Sequence, residues 1–181
     1  MTESPAMAMH RLVWTGLGAA AIAAGTFVQF HLGPVPMTLQ TMFVLLVGFV
    51  LGPGGGAAAV GLYLLAGVIG LPVFSGAGAG PGHLFGPTGG FLFGFAVGAA
   101  VAGLARRGQE RPGLFRLVLF GFLGLAAIYS FGVPWLKFTL SIGWTRALQV
   151  GLLPFLPGAA IKLTLAVAAA RMLFRRNLTP Q

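Results

Sequence analysis

Apolar residues run through this chain in long blocks, broken only by short polar or glycine- and proline-rich stretches. Six blocks have the length and uniformity of membrane helices or come close: Leu12 to Phe30, Leu39 to Leu51, Ala57 to Leu71, Gly89 to Ala105, Leu114 to Leu136 and Gly158 to Phe174. A bilayer core of about 30 Å takes roughly 17 to 25 helical residues per crossing, fewer where the membrane thins or protein covers the ends. The second and third blocks are short and are separated only by the turn Gly52-Pro53-Gly54-Gly55-Gly56. The pattern predicts an all-α polytopic membrane protein, a compact bundle of six transmembrane helices in one domain spanning 1–181. A short segment, 1–11, precedes the bundle, and a tail, 175–181, follows it. Arg11 ahead of an apolar run containing Ala19 and Ala21 has a signal-peptide look, but the run is long enough to span and five more follow, so it reads as the first helix.

Composition excludes water as the main solvent. Of 181 residues, 57% are hydrophobic and 7% charged, and mean hydropathy is +0.93, whereas a soluble domain carries roughly 25% charged residues. The net charge of +9 does not point to nucleic acid, because the basic residues cluster between apolar blocks and do not line one face. They act as topology signals. With six crossings, one side receives Arg11, Arg106, Arg107, Arg111, Arg116, Arg171, Arg175 and Arg176, and the other only Lys137 and Arg146. Both termini are therefore expected in the cytoplasm, and a re-entrant hairpin at the second and third blocks would leave that unchanged. Trp135 and Trp144 then fall near the outer interface and Trp14 near the inner one. Without cysteine, disulfides, thiolate metal sites and cysteine nucleophiles are excluded.

Polar groups inside a membrane are costly and mark function. Apart from Arg116 and Arg171, which lie within a turn of their spans' arginine-rich ends, Lys162 is the one charge within a predicted span, about a turn below the outer surface after Pro157 and Gly158. Its stem can simply snorkel to the interface, or its ammonium can anchor an anionic ligand. The connection from Gly70 to Gly90, rich in glycine and proline, faces the same side, and its bare backbone can approach a ligand closely. Pro34 and Pro36 set an extended lead-in to the second span, where Thr38 either caps the helix or meets a ligand, and the Gln40 amide needs a partner. Gly16, Ala20 and Ala24 recur every four residues on the first span, as do Ala19 and Ala23, forming a smooth face for another helix of this chain or of a partner. His10, His31 and His83 are too scattered to suggest a metal site, and HExxH, GxSxG, P-loop and paired-carboxylate signatures are absent. ATP hydrolysis is therefore not expected of this chain.

Five segments in order resemble motifs of one family: Pro36-Met37-Thr38-Leu39-Gln40-Thr41, Gly70-Leu71-Pro72-Val73-Phe74, Gly86-Pro87-Thr88-Gly89-Gly90, Gly132-Val133-Pro134-Trp135-Leu136 and Pro154-Phe155-Leu156-Pro157-Gly158. The chain is similar to the BioY family, biotin-specific S components of energy-coupling-factor transporters. The resemblance implies a six-helix subunit of the bacterial plasma membrane, without enzymatic activity or cofactor, that captures biotin from outside. It would dock on a transmembrane scaffold driven by two ATPases, through Ala19, Ala20, Ala23 and Ala24. The substrate site implied comprises Lys162, Thr38, Gln40, Phe74, Phe85, Gly86, Thr88, Gly89, Phe91 and Ala159. Two positions depart from the pattern: Ala159 stands where the family has aspartate, and Phe91 where it often has tyrosine, each losing hydrogen-bonding capacity. An S component for another vitamin and a structural membrane protein that binds no small molecule are the competing readings.

Overall fold

A computed structural model describes residues 5–31 and 35–180. Pro34, expected to help shape the lead-in to the second span, lies outside the described residues, as do the first four residues and Gln181. The order of elements is α1 (Pro5–Ala24), β1 (Gln29–His31), β2 (Pro36–Thr38), α2 (Gln40–Val68), α3 (Pro81–Leu84), α4 (Gly89–Gly103), α5 (Leu114–Thr139), α6 (Trp144–Gly151) and α7 (Leu156–Arg175). Among the described residues the long elements are all helices, and the one named sheet is the antiparallel β1–β2 ribbon, in which Gln29 pairs with Thr38 and His31 with Pro36. Four stretches among the described residues are long and apolar enough to cross a membrane: Gln40–Val68, Gly89–Arg106, Leu114–Thr139 and Trp144–Arg175.

The first of these stretches is a hairpin. Gly52 breaks α2 at φ 74°, ψ −178°, a backbone conformation that only glycine adopts cheaply, and Pro53 restarts the helix where its missing N–H is no loss. Around this point the two halves run back along each other. A Cβ at Gly56 would lie 2.9 Å from the Gly48 Cα, and Gln40 Nε2 donates to Tyr63 Oη at 2.6 Å. In a straight helix Gln40 and Tyr63 would stand about 34 Å apart. The halves measure roughly 18 and 24 Å at 1.5 Å per residue, both short of the ~30 Å hydrocarbon core.

Helix ends differ from the sequence expectation where a close contact intervenes. The first apolar block extends to Phe30, but α1 stops at Ala24. Gly25 lets the chain turn beneath the start of α2, where a Cβ would come within 2.7 Å of the Phe43 ring and 3.0 Å of the Gln40 nitrogen. Between Lys137 and Pro157, read as a loop, the chain forms the short amphipathic α6, which packs through Ala147 and Gly151. On α4, Gly90, Gly94 and Gly98 recur every four residues and bring its backbone against α5: a Cβ at Gly90 would meet Trp135 at 2.2 Å, and one at Gly98 would meet Ile128 at 2.5 Å. Close packing of this kind replaces the hydrophobic effect as the source of helix association in lipid.

Arginines collect at one end of the bundle, where helices leave carbonyls without intrahelical partners. Arg106 donates to the Val50 and Pro180 carbonyls, Arg116 to Leu104 and Arg107 at 3.2 and 2.8 Å, and Arg111 to Asn177 at 2.7 Å. The last bond joins the residues just before α5 to those just after α7, so these two helices run antiparallel.

Candidate functional site

The opposite end of the bundle is chemically different. A cavity opens there between α2, α4, α5 and α7, beneath the β-ribbon and the 70–88 connection, and is lined by Val35, Pro36, Thr38, Gln40, Thr41, Ser75, Thr88, Phe91, Leu92, Phe95, Ile128, Tyr129, Phe155 and Lys162. Apolar and aromatic walls with a few convergent polar groups are the usual makeup of a small-molecule site. The cavity volume is about 50 Å³. Ligand pockets run to roughly 300–1,000 Å³. Entry of an organic ligand therefore requires the walls to move outward.

Its polar wall is built from the start of α2. Thr38 Oγ1 donates to Gln40 Oε1 at 3.2 Å and accepts the Gln40 backbone N–H at 3.3 Å. Gln40 Nε2 donates to Tyr63 Oη at 2.6 Å, and Tyr63 in turn donates to the Val73 carbonyl at 3.3 Å. Burial makes an unpaired amide expensive, and this chain of bonds settles the Gln40 side chain between both halves of the α2 hairpin and the outer connection.

That connection is held in place from several sides. Phe74, fully buried, seats its ring on Gly67, where a Cβ would lie 2.1 Å away, and meets Tyr63 edge-on at 5.6 Å. His83 stacks on Phe74 at 5.1 Å, over Gly78, which has no side chain to obstruct it. Burial lowers the His83 pKa below its ordinary value. Thr26 Oγ1 donates to the Val73 carbonyl at 3.0 Å, Gln29 Oε1 accepts the Gly76 N–H at 3.0 Å, and Trp135 Nε1 donates to the Gly86 carbonyl at 2.9 Å.

Lys162 reaches the cavity from α7. It is 8% exposed, and no hydrogen bond or ion pair to its ammonium occurs among the described residues. The chain has only two acids, Glu3 and Glu110; Glu110 sits in the arginine-rich linker at the other end, lining a different cleft with Arg106 and Arg111.

Of the site residues suggested by the sequence, Thr38, Gln40, Thr88, Phe91 and Lys162 line this one cavity. Others sit outside its lining. Phe74 belongs to the core beneath the connection, Phe85 is 63% exposed, and Gly86 and Gly89 pack about Trp135 and Leu84. Ala159 is buried in a separate apolar cluster with Leu45 and Phe49. On α1, Ala19 is buried and Ala23 half-buried in the main core, while Ala20 and Ala24 face outward. Sequence reasoning missed Tyr63, Phe95, Tyr129 and Phe155. Tyrosine within an apolar block was the available signal, since a buried hydroxyl requires a partner.

The whole-chain comparisons agree with one another. The BioY family model matches residues 1–178. A biotin transporter BioY from Thermotoga maritima is 41% identical over 162 residues, covering 90% of this chain and 94% of the relative. Another from Rhizobium etli is 40% identical, covering 91% and 93%. The crystal structure of the S-component for biotin from an ECF-type ABC transporter superposes with a TM-score of 0.88 at 28% identity, covering 99% of this chain and all of that one. Hydrophobic architecture, helix order and motif order thus converge, and this multi-pass membrane chain belongs to the BioY family.

Proposed function

We propose that this chain is the substrate-capturing S component of a biotin importer, and that the cavity holding Lys162 is its binding site. One observation carries the reading: the ammonium lines a cavity in which no acid among the described residues neutralises it, so the missing counter-ion is the ligand's own. Biotin supplies a carboxylate together with an apolar bicycle that suits Phe91, Leu92, Phe95 and Phe155. Its ureido group meets hydroxyl and backbone groups of the outer wall, with Thr88 and Ser75 facing the cavity. The concentration of arginines at the other end supports an orientation with both termini cytoplasmic and the cavity open to the exterior. Delivery then depends on a scaffold subunit and two ATPases of an energy-coupling-factor module, and the outward Ala20–Ala24 face of α1 is the surface offered to the scaffold.

Purified protein tests the ligand directly. A ligand that binds only the folded state raises its stability with concentration, so biotin should raise the melting temperature while thiamine and riboflavin should not. Stabilisation by another vitamin, with none by biotin, would reassign the substrate; stabilisation by no vitamin would leave a structural membrane protein.

A further inference from the structure

The groups lining the cavity differ in whether their hydrogen-bonding capacity is already engaged. Thr38 and Gln40 bond to each other and, through Gln40, to Tyr63. Tyr129 is different. Its ring lies on the cavity wall and meets Phe91 edge-on at 6.2 Å, yet its hydroxyl has no hydrogen-bond partner among the described residues. A half-buried phenol normally finds one, so this hydroxyl is available to a ligand.

Helix geometry says which part of the ligand it meets. On α5 and α7, which run antiparallel, the Arg111–Asn177 bond ties the residues before one helix to those after the other. Tyr129 stands about 22 Å along α5 from Leu114, and Lys162 about 20 Å along α7 from Arg175, at 1.5 Å per residue. The two residues therefore lie at similar depth on facing helices and line the same small cavity. A carboxylate offers about four lone-pair sites, more than one ammonium aligns with well.

We propose that Tyr129 is a ligand-binding residue whose hydroxyl donates to the same carboxylate that Lys162 neutralises, which makes the site select a free acid over its neutral ester. This rests on the biotin reading above. The test measures binding of biotin and biotin methyl ester, by competition against labelled biotin, to purified wild type, Tyr129→Phe and Tyr63→Phe, together with each protein's ligand-free melting temperature. A hydrogen bond to a charged acceptor is roughly twice as strong as a neutral one, so Tyr129→Phe should weaken biotin about tenfold and the ester less than twofold. Its ligand-free melting temperature should match wild type, whereas Tyr63→Phe, which removes an internal bond, should melt lower. The proposal is overturned if Tyr129→Phe binds biotin within twofold of wild type, if it loses the acid and the ester equally, or if it melts as low as Tyr63→Phe. Wild type that binds no biotin would instead remove the reading underneath.

Discussion

Replacing Lys162 with methionine should make the empty protein more stable and the liganded one far weaker. The side chain is 8% exposed and without a partner among the described residues. A lysine at the centre of a span costs about 2.5–3.5 kcal/mol on insertion scales. The cavity is open at one end, so part of that hydration persists, and an isosteric apolar residue should recover about half, roughly 1–2 kcal/mol. For a chain of this size each kcal/mol moves the melting temperature by about 2–4 °C, giving a rise of roughly 2–8 °C without ligand. Affinity should move the other way. Truncating one member of a desolvated charge pair costs about 2–5 kcal/mol, which at 1.4 kcal/mol per decade weakens biotin roughly 30- to several-thousand-fold. Thermal unfolding in detergent, with and without biotin, and calorimetric titration read both quantities on one preparation. A variant that melts lower than wild type yet still binds biotin within threefold would refute the argument that the ammonium is uncompensated until ligand arrives.

Other outcomes follow from the packing. Gly98→Val places a Cβ 2.5 Å from Ile128 and 2.9 Å from the Gly124 carbonyl, so it should cost about 1–3 kcal/mol or more and lower the melting temperature, whereas Gly113→Ala, with nothing within 4 Å, should leave it nearly unchanged. Tyr63→Phe strands the Gln40 amide in a buried setting, a loss of about 1–3 kcal/mol, visible as faster hydrogen exchange at the start of α2. His83 has its folded pKa lowered from 6.5 by burial, so unfolded connections bind more protons than folded ones in the window below 6.5. The stability contributed by its stacking on Phe74 is complete above that value and is lost as pH falls toward the lowered folded pKa. Amide protection factors across 70–88, with the intrinsic pH dependence of exchange divided out, should therefore fall between pH 7.5 and 5.5, and His83→Phe should abolish that fall; an equal fall in the variant would assign the effect to another group.

Apolar run lengths and the scarcity of charge determined, from sequence alone, that the chain folds as a helical membrane bundle, because hydrocarbon leaves backbone polar groups no partners except those within helices. Lys162 was legible for the same reason: a lone charge among apolar residues stands out wherever it points. Gln40 was legible as a group in need of a partner, but that partner is Tyr63, brought near only by reversal of the chain at Gly52. Phe74 and Phe85 looked interchangeable as aromatic residues of one connection; the glycine at position 67 draws the first into the core, and the second is left outside. That Tyr129 and Lys162 line one cavity depends on the packing of α5 beside α7. Local composition decides what an environment must be, since solvation acts residue by residue. Which polar groups pair and which remain open to a ligand depends on distances between residues far apart in the chain, and only the packed helices set those.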